Sequence, residues 1–337
     1  MAELKQLEHR QYAHCESGVV TALLKRHGLD LTEPMVFGIT GGLTFAYLPF
    51  IKMTNMPIIS YRMLPGSIIR GAEKNLPIKF KTARYKEKEK ALTELTHLID
   101  RGEIVGLQTS VYWLPYFPPE MRFQFNAHNL IVYGREGDEF LVSDPVFEHT
   151  VRIKAEDLQN ARFARGTLAP KGFMYYPLMV GNSIDMRKVI RKSITRTVRM
   201  MLYAPVPFIG VKGIHYMAKK IERLKTHSEL KYIRLFLGHI VRMQEEIGTG
   251  GGGFRFMYAA FLQEAADILK SPQLEEASRM MTVAGETWRQ FALACAKACK
   301  RKEDIDVVGI AQLAKSCADQ EKRVYSHLKS MKSNHAS

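Results

Sequence analysis

The sequence predicts an α+β domain over residues 1–180 followed by an all-α domain over 181–337. Three observations predict it. In the first half, helical periodicity comes early and short β-branched and aromatic runs come afterwards, the order of helices segregated from an antiparallel sheet. From about residue 184 to 333 the apolar spacing is helical almost throughout. The charge balance changes at the same place. Residues 1–180 hold 22 basic and 19 acidic side chains, whereas 181–337 hold 27 and 15.

The elements follow in order. After Cys15, the run ESGVVTALLKRHG sets Val19, Val20, Leu23, Leu24 and His27 on one face, and Gly28 supplies the stop. A helix therefore begins at or just after Cys15. The next stretch, MVFGITGGLTFAYLPF, carries too many Gly, Thr and aromatic residues for a regular helix and is expected to be a loop. The stretch 86–101 aligns Leu92, Leu95, Leu98 and Ile99 as a second helix. Strands follow in EIVGLQTSVYWL, AHNLIVYGRE and DEFLVSDP, with a turn within Gly134–Asp138, and FMYYPLMV closes the sheet. Beyond 184 the helical runs are IDMRKVIRKSITRTVRMML, GIHYMAKKIERLKTH, LKYIRLFLGHIVRMQEEI, RFMYAAFLQEAADIL and the alanine-rich stretch Glu286–Lys300.

Composition narrows the function classes. At 46% hydrophobic and 25% charged, the 337 residues are ordinary globular material, which excludes a disordered or fibrous chain. Four cysteines without paired zinc spacing exclude a disulfide scaffold and predict no metal. The amino terminus has no apolar signal core and the longest uncharged run, Pro34 to Ile51, is broken by Gly and Pro. A cytoplasmic chain with no membrane span is expected. The net charge of +15 calls for an acidic partner. Over 181–240, 13 basic residues meet only Asp185, Glu222 and Glu229, and no nucleic-acid motif accompanies them.

Chemistry centres on Cys15. A cysteine at a helix start lies where first-turn N–H groups favour the thiolate, and such a nucleophile needs a base and a group that orients it. His128 begins the strand AHNLIVYG, and a hairpin turning near Gly134–Asp138 returns Asp144 beside it. The same residues also fit structural roles, His128 in the core and Asp144 as a turn former before Pro145.

The segments His14-Cys15-Glu16-Ser17-Gly18, Phe37-Gly38-Ile39-Thr40-Gly41-Gly42-Leu43-Thr44-Phe45, Ala127-His128-Asn129 and Ser143-Asp144-Pro145 together resemble the amino-terminal domain of the butirosin-biosynthesis acyltransferase family. That domain is itself similar to papain-like peptidases that process bacteriocin leaders. GTGGGGFRFMYAAFLQEAADIL at 248–269 resembles the helical domain that commonly follows it. The resemblance implies a papain-like catalytic domain at 1–180 and a helical domain at 181–337 for carrier docking and substrate. It implies transfer of an acyl or aminoacyl group from an acyl carrier protein thioester to an amine or hydroxyl of a small-molecule acceptor in secondary-metabolite biosynthesis. Cys15 would be the nucleophile, His128 the base and acid, and Asp144 its orienter. No bound cofactor is implied, since phosphopantetheine arrives on the carrier protein.

Further residues carry lesser expectations. Papain-like enzymes place a glutamine before the cysteine as an oxyanion donor; here Gln11 is the candidate, beside the Cys15 N–H, and His14 is expected to support the site from behind. Gly41 and Gly42 are candidates for backbone contact with the acyl group, against an ordinary tight turn. Trp113, in the cluster Tyr112–Pro119, is a candidate wall for an apolar tunnel, against plain cover of the sheet. Arg255 and Tyr258, after Gly248–Gly253, are candidates to receive a phosphate at a helix start, against a flexible connection. The carrier is expected on Arg187, Lys188, Lys219 and Lys220. Two alternatives stand beside transfer: a cysteine peptidase or thioester hydrolase with the same triad, and a non-catalytic basic binding protein.

Overall fold

The computed structural model describes residues 7–53, 55–181, 183–227, 229–301 and 305–331. Helix α1 (Cys15–Arg26) stands where the periodicity puts it, with Val19, Val20, Leu23 and Leu24 wholly buried. It ends as expected: Gly28 N–H donates to Lys25 O and Leu29 N–H to Leu24 O, with Gly28 at φ 88°. That left-handed conformation is cheap for glycine and satisfies two end carbonyls.

The stretch expected to be a loop is instead two regular elements. Met35 to Ile39 belong to helix α2 (Glu33–Ile39), and Leu43 opens strand β1 (Leu43–Met53), which pairs antiparallel with β2 (Met56–Arg62). Gly38 is there for closeness rather than looseness, since a Cβ on it would lie 2.1 Å from the Phe261 ring. A glycine that admits a neighbouring ring looks, in one dimension, like a glycine that breaks a helix.

Next come α3 (Ser67–Asn75), β3 (Ile78–Ala83), α4 (Lys88–Asp100), β4 (Val105–Thr109), β5 (His128–Glu136), β6 (Glu139–Ser143), β7 (Val151–Lys154), α5 (Ala155–Arg162) and β8 (Met174–Val180). Strands β3 to β8 form one antiparallel sheet in the order β3-β8-β4-β5-β6-β7. Central β4 is buried at every position, so both faces of the strand are covered. The β5–β6 hairpin turns on Gly137 and Asp138, with Glu136 opposite Glu139. Leu95 and Leu98 of α4 join Leu107, Leu130, Val132, Phe140 and Val142 in one core. Each such side chain contributes about 1.5–3 kcal/mol on burial, so the sheet is a firm platform for its ends.

The chain divides into two compact units, Met1–Val36 with Pro65–Ile184, and Phe37–Leu64 with Asp185–Ser337. The single cut expected at 180 therefore falls at 184, and residues 37–64 leave the first half for the second unit. Aromatic packing is the reason: Phe45 of β1 and Tyr61 of β2 lie 5.7 and 5.2 Å, centroid to centroid, from Trp288.

The rest of the second unit is helical, as expected. It comprises α6 (Met186–Tyr203), α7 (Gly210–Glu222), the short α8 (Leu224–His227), α9 (Leu230–Val241), α10 (Arg255–Leu269), α11 (Pro272–Cys299) and α12 (Val307–Ser330). The alanine-rich stretch from Glu286 is the second half of α11. That helix starts fourteen residues earlier by number, at a Ser271 cap and Pro272 in its first turn. No helix among the described residues is long and apolar enough to cross a membrane.

Candidate active site

Cys15, His128 and Asp144 all belong to the first unit. Cys15 is the first residue of α1, which packs on β5. His128 is the first residue of β5, paired in register with Thr109 of β4. Asp144 lies one residue past β6, and β6 is held beside β5 by the pairing of Ser143 with Ile131. Helix start, strand start and strand end thus converge at one end of the sheet.

The geometry brings a thiol, an imidazole and a carboxylate together. His128 Nε2 lies 2.7 Å from Asp144 Oδ2, and both side chains are buried. The Cys15 side chain bears on the same imidazole by hydrogen bonding and by charge, and its Sγ lies 3.9 Å from Ala127 O. Burial on its own would pull the His128 pKa down. The charge and hydrogen bond of Asp144, joined by Cys15, outweigh it and push the value up to about 10. An imidazolium therefore faces Sγ at neutral pH. Cys15 is 8% exposed, His128 3% and Asp144 0%.

Asp144 is itself held from three directions. Besides His128, Oδ2 accepts from the Tyr116 hydroxyl at 2.9 Å, and Oδ1 accepts from Val146 N–H at 3.0 Å. Burial first, then Asp144, hold the Tyr116 phenol well above its usual pKa, so it stays a donor. Phe117 meets the His128 ring edge-on at 5.5 Å and Phe147 at 4.9 Å. The aromatic and proline cluster thus lies against His128 and Asp144, through Phe117 and Tyr116. Its Trp113 packs edge-on against Tyr112 at 5.3 Å and is 44% exposed.

The turn before Cys15 has its own clamp. Glu33, at the start of α2, accepts Ala13 N–H at 2.8 Å, His14 N–H at 2.9 Å and the Ser17 hydroxyl at 2.8 Å. His14 caps α1, its Nδ1 accepting Ser17 N–H at 3.2 Å. His14 accordingly supports the helix start that presents Cys15. Burial raises the Glu33 pKa, and its hydrogen bonds oppose that. Glu16, wholly buried beside Cys15, accepts Ile68 N–H at 3.0 Å and so ties α3 to α1.

Other expected residues take different places. The Gln11 amide donates to Val146 O at 2.9 Å and is exposed, which commits it to the loop after Asp144 rather than to an oxyanion. The backbone N–H of Cys15 remains a first-turn donor without an i−4 carbonyl. Gly41 and Gly42 lie in the second unit and close α2: Gly41 N–H donates to Gly38 O, Gly42 N–H to Phe37 O, and Gly41 holds φ 70°.

Arg255 and Tyr258 also lie in the second unit, and both are core residues with no exposure. Arg255 Nε donates to buried Glu321 at 2.8 Å, and the guanidinium lies over Tyr61 and Trp288. The glycine run does hold an anion, but the protein's own: Gly252 N–H donates to both Glu245 oxygens, at 3.1 and 3.2 Å. The phosphate expectation at Arg255 and Tyr258 is corrected accordingly. Arg187, Lys188 and Lys219 are exposed, while Lys220 is half-buried with its ammonium 5.3 Å from the Tyr216 ring.

Two participants, Tyr116 and Glu33, escaped the sequence reading. Tyr116 lay inside the cluster already singled out, whereas nothing local distinguishes Glu33 from any surface acid. Among the described residues no group of three or more His, Cys, Asp or Glu could hold a metal ion.

Comparison with known proteins finds two family matches and a similar solved structure. The family model for butirosin biosynthesis protein H, N-terminal, matches residues 14–145, and the model for a domain of unknown function, DUF4872, matches residues 156–328. The first match runs from the residue before Cys15 to the residue after Asp144. No curated protein matches the chain. Among solved structures, a Bacillus anthracis protein described as a C39-like peptidase aligns over 52% of this chain and 96% of its own, with 14% identity and a TM-score of 0.36. The chain belongs to the DUF4872 family, whose model covers just over half of it, and the match to butirosin biosynthesis protein H, N-terminal, precedes that domain.

Proposed function

We propose that this protein is a cysteine acyltransferase that takes an acyl or aminoacyl group from the phosphopantetheine thioester of an acyl carrier protein. The reading rests on one observation: a buried His128–Asp144 pair at 2.7 Å with the Cys15 side chain on the same imidazole. Sγ, as thiolate, attacks the thioester carbonyl carbon, forming a new C–S bond and a tetrahedral oxyanion beside the Cys15 N–H. Collapse breaks the bond to the pantetheine sulfur, which takes the proton from His128 and leaves as a thiol. The acceptor amine or hydroxyl then attacks the Cys15 acyl group. His128 accepts its proton, and collapse releases product and the Cys15 thiolate, restoring the resting charges. Such general acid–base help contributes roughly 10²–10⁴-fold. Asp144 holds the imidazole and balances its charge.

The basic helices of the second unit support an acidic partner. Arg187 and Lys188 on α6 and Lys219 and Lys220 on α7 would steer a carrier protein to the enzyme.

Intact-mass spectrometry after incubation with acylated carrier protein tests the reaction. The wild type gains the mass of the acyl group and Cys15→Ala does not, and a candidate amine then discharges the adduct into a conjugate. An adduct that only water discharges identifies a thioester hydrolase. A Cys15→Ala chain with full activity would leave a basic binding protein.

A further inference from the structure

Within the second unit, α6, the α10–α11 turn and the end of α12 enclose a pocket of about 520 Å³. Small-molecule sites occupy roughly 300–1,000 Å³, so the volume suits a ligand rather than a packing defect. The floor is aliphatic. Ile194 and Val198 of α6, Leu274 of α11 and Leu328 of α12 line it and are all buried. The rim is cationic. Arg191, Arg199, Lys270 and Lys329 line the same pocket, and among the described residues that line it there is no Asp or Glu.

Those two features select the ligand. Four like charges around one apolar hollow repel one another, and an anion seated among them relieves that repulsion. The aliphatic floor offers dispersion contact and water exclusion to a hydrocarbon chain. The one aromatic ring among the described lining residues, Tyr203, is 54% exposed and already lies beneath the Lys329 ammonium at 5.2 Å, so it is not a free stacking face for a nucleobase. Lys270 occupies φ 51°, a position where glycine costs less, so its side chain is kept at some backbone expense. The start of α11 at Pro272, after the Ser271 cap, adds a partial positive charge to the same rim.

We propose that this pocket binds a small amphipathic anion, an unbranched hydrocarbon chain on the Ile194–Val198–Leu274–Leu328 floor with its carboxylate or phosphate head among Arg191, Arg199, Lys270 and Lys329. The site is distinct from Cys15, His128 and Asp144, and the inference does not depend on the reaction proposed for them.

Isothermal titration of the full-length protein with decanoate tests it. Saturable binding with a Kd below about 1 mM is expected, with decanol at least roughly tenfold weaker. Decyl phosphate competing more or less strongly than decanoate identifies the preferred head. The double variant Arg199→Glu/Lys270→Glu alters exposed charges only and weakens decanoate roughly tenfold or more. Thr195→Trp, which fills the pocket from half-exposed α6, abolishes binding while circular dichroism and melting stay near wild type. Cys15→Ala binds decanoate as the wild type does. Equal affinity for decanol, undiminished binding in the charge-reversed or pocket-filled variant, loss of binding in Cys15→Ala, or no saturable heat would each overturn the proposal.

Discussion

The Tyr116 hydroxyl donates to Asp144 Oδ2, the same oxygen that faces His128 Nε2. One carboxylate oxygen thus serves both an imidazole and a phenol from the aromatic loop. Tyr116→Phe removes that donor from a buried anion, a loss of about 1.5–3 kcal/mol in unfolding free energy. With less competition for Oδ2, the carboxylate acts more strongly on His128 and its pKa rises further. Urea unfolding and the NMR titration of the His128 ring check the two effects. An unchanged stability would mean that the hydroxyl is idle.

His128 makes stability depend on pH with a definite sign. Its pKa rises from 6.5 to about 10 on folding, so the stabilisation is complete below 6.5 and is lost as pH climbs through 10. The wild-type advantage over His128→Gln is therefore largest in mild acid. Between those limits it shrinks by up to about 1.4 kcal/mol per pH unit. Denaturant unfolding of both proteins at several pH values reads it directly, and a gap that stays constant would contradict it.

The four cysteines separate by environment. Burial raises the pKa of the Cys295, Cys299 and Cys317 thiols, that of Cys317 well above the usual range. Cys15 lies against an imidazolium at a helix start. Brief iodoacetamide treatment of the native protein at pH 7 is expected to modify Cys15 alone, as peptide mass spectrometry would show. His128→Gln is expected to slow that labelling roughly tenfold or more. Equal labelling of Cys299 would argue against a special environment at Cys15.

Charge reversal separates docking from chemistry. In Lys219→Glu/Lys220→Glu or Arg187→Glu/Lys188→Glu, acyl loading of Cys15 from a carrier protein slows at low salt, and the difference fades near 1 M as screening shortens to about 3 Å. Loading from a small thioester that lacks the carrier is unaffected. Stopped-flow measurements with both donors decide this. Equal slowing of the two donors would assign those residues to folding instead.

Much of this was legible in one dimension. The helix after Cys15, its glycine stop and the long helices beyond 184 follow from periodicity and end signals, which are local properties of the chain. Cys15, His128 and Asp144 were candidates from a helix start and a hairpin, where structural roles also fitted them, and the resemblance to the butirosin-biosynthesis family singled them out. The roles of Gly38, Tyr116 and Arg255 were not legible. Gly38 is explained only by the Phe261 ring pressed against it, and Tyr116 only by an aspartate 28 positions away. Arg255 heads a helix after a glycine run and so reads as an anion site, yet Glu321, 66 residues on, takes its charge into the core.

By itself, then, the sequence determined the helix after Cys15, the strands around His128 and the long helices beyond 184, and where the basic surplus lies. Tertiary structure alone decided that residues 37–64 belong with the helices, that Gln11 serves a loop carbonyl and that Glu33 holds the turn before the thiol. It also decided that four cations share one aliphatic hollow. Periodicity and capping act within a few residues, whereas ring packing, buried carboxylates and cavities depend on which distant segments the folded chain brings together.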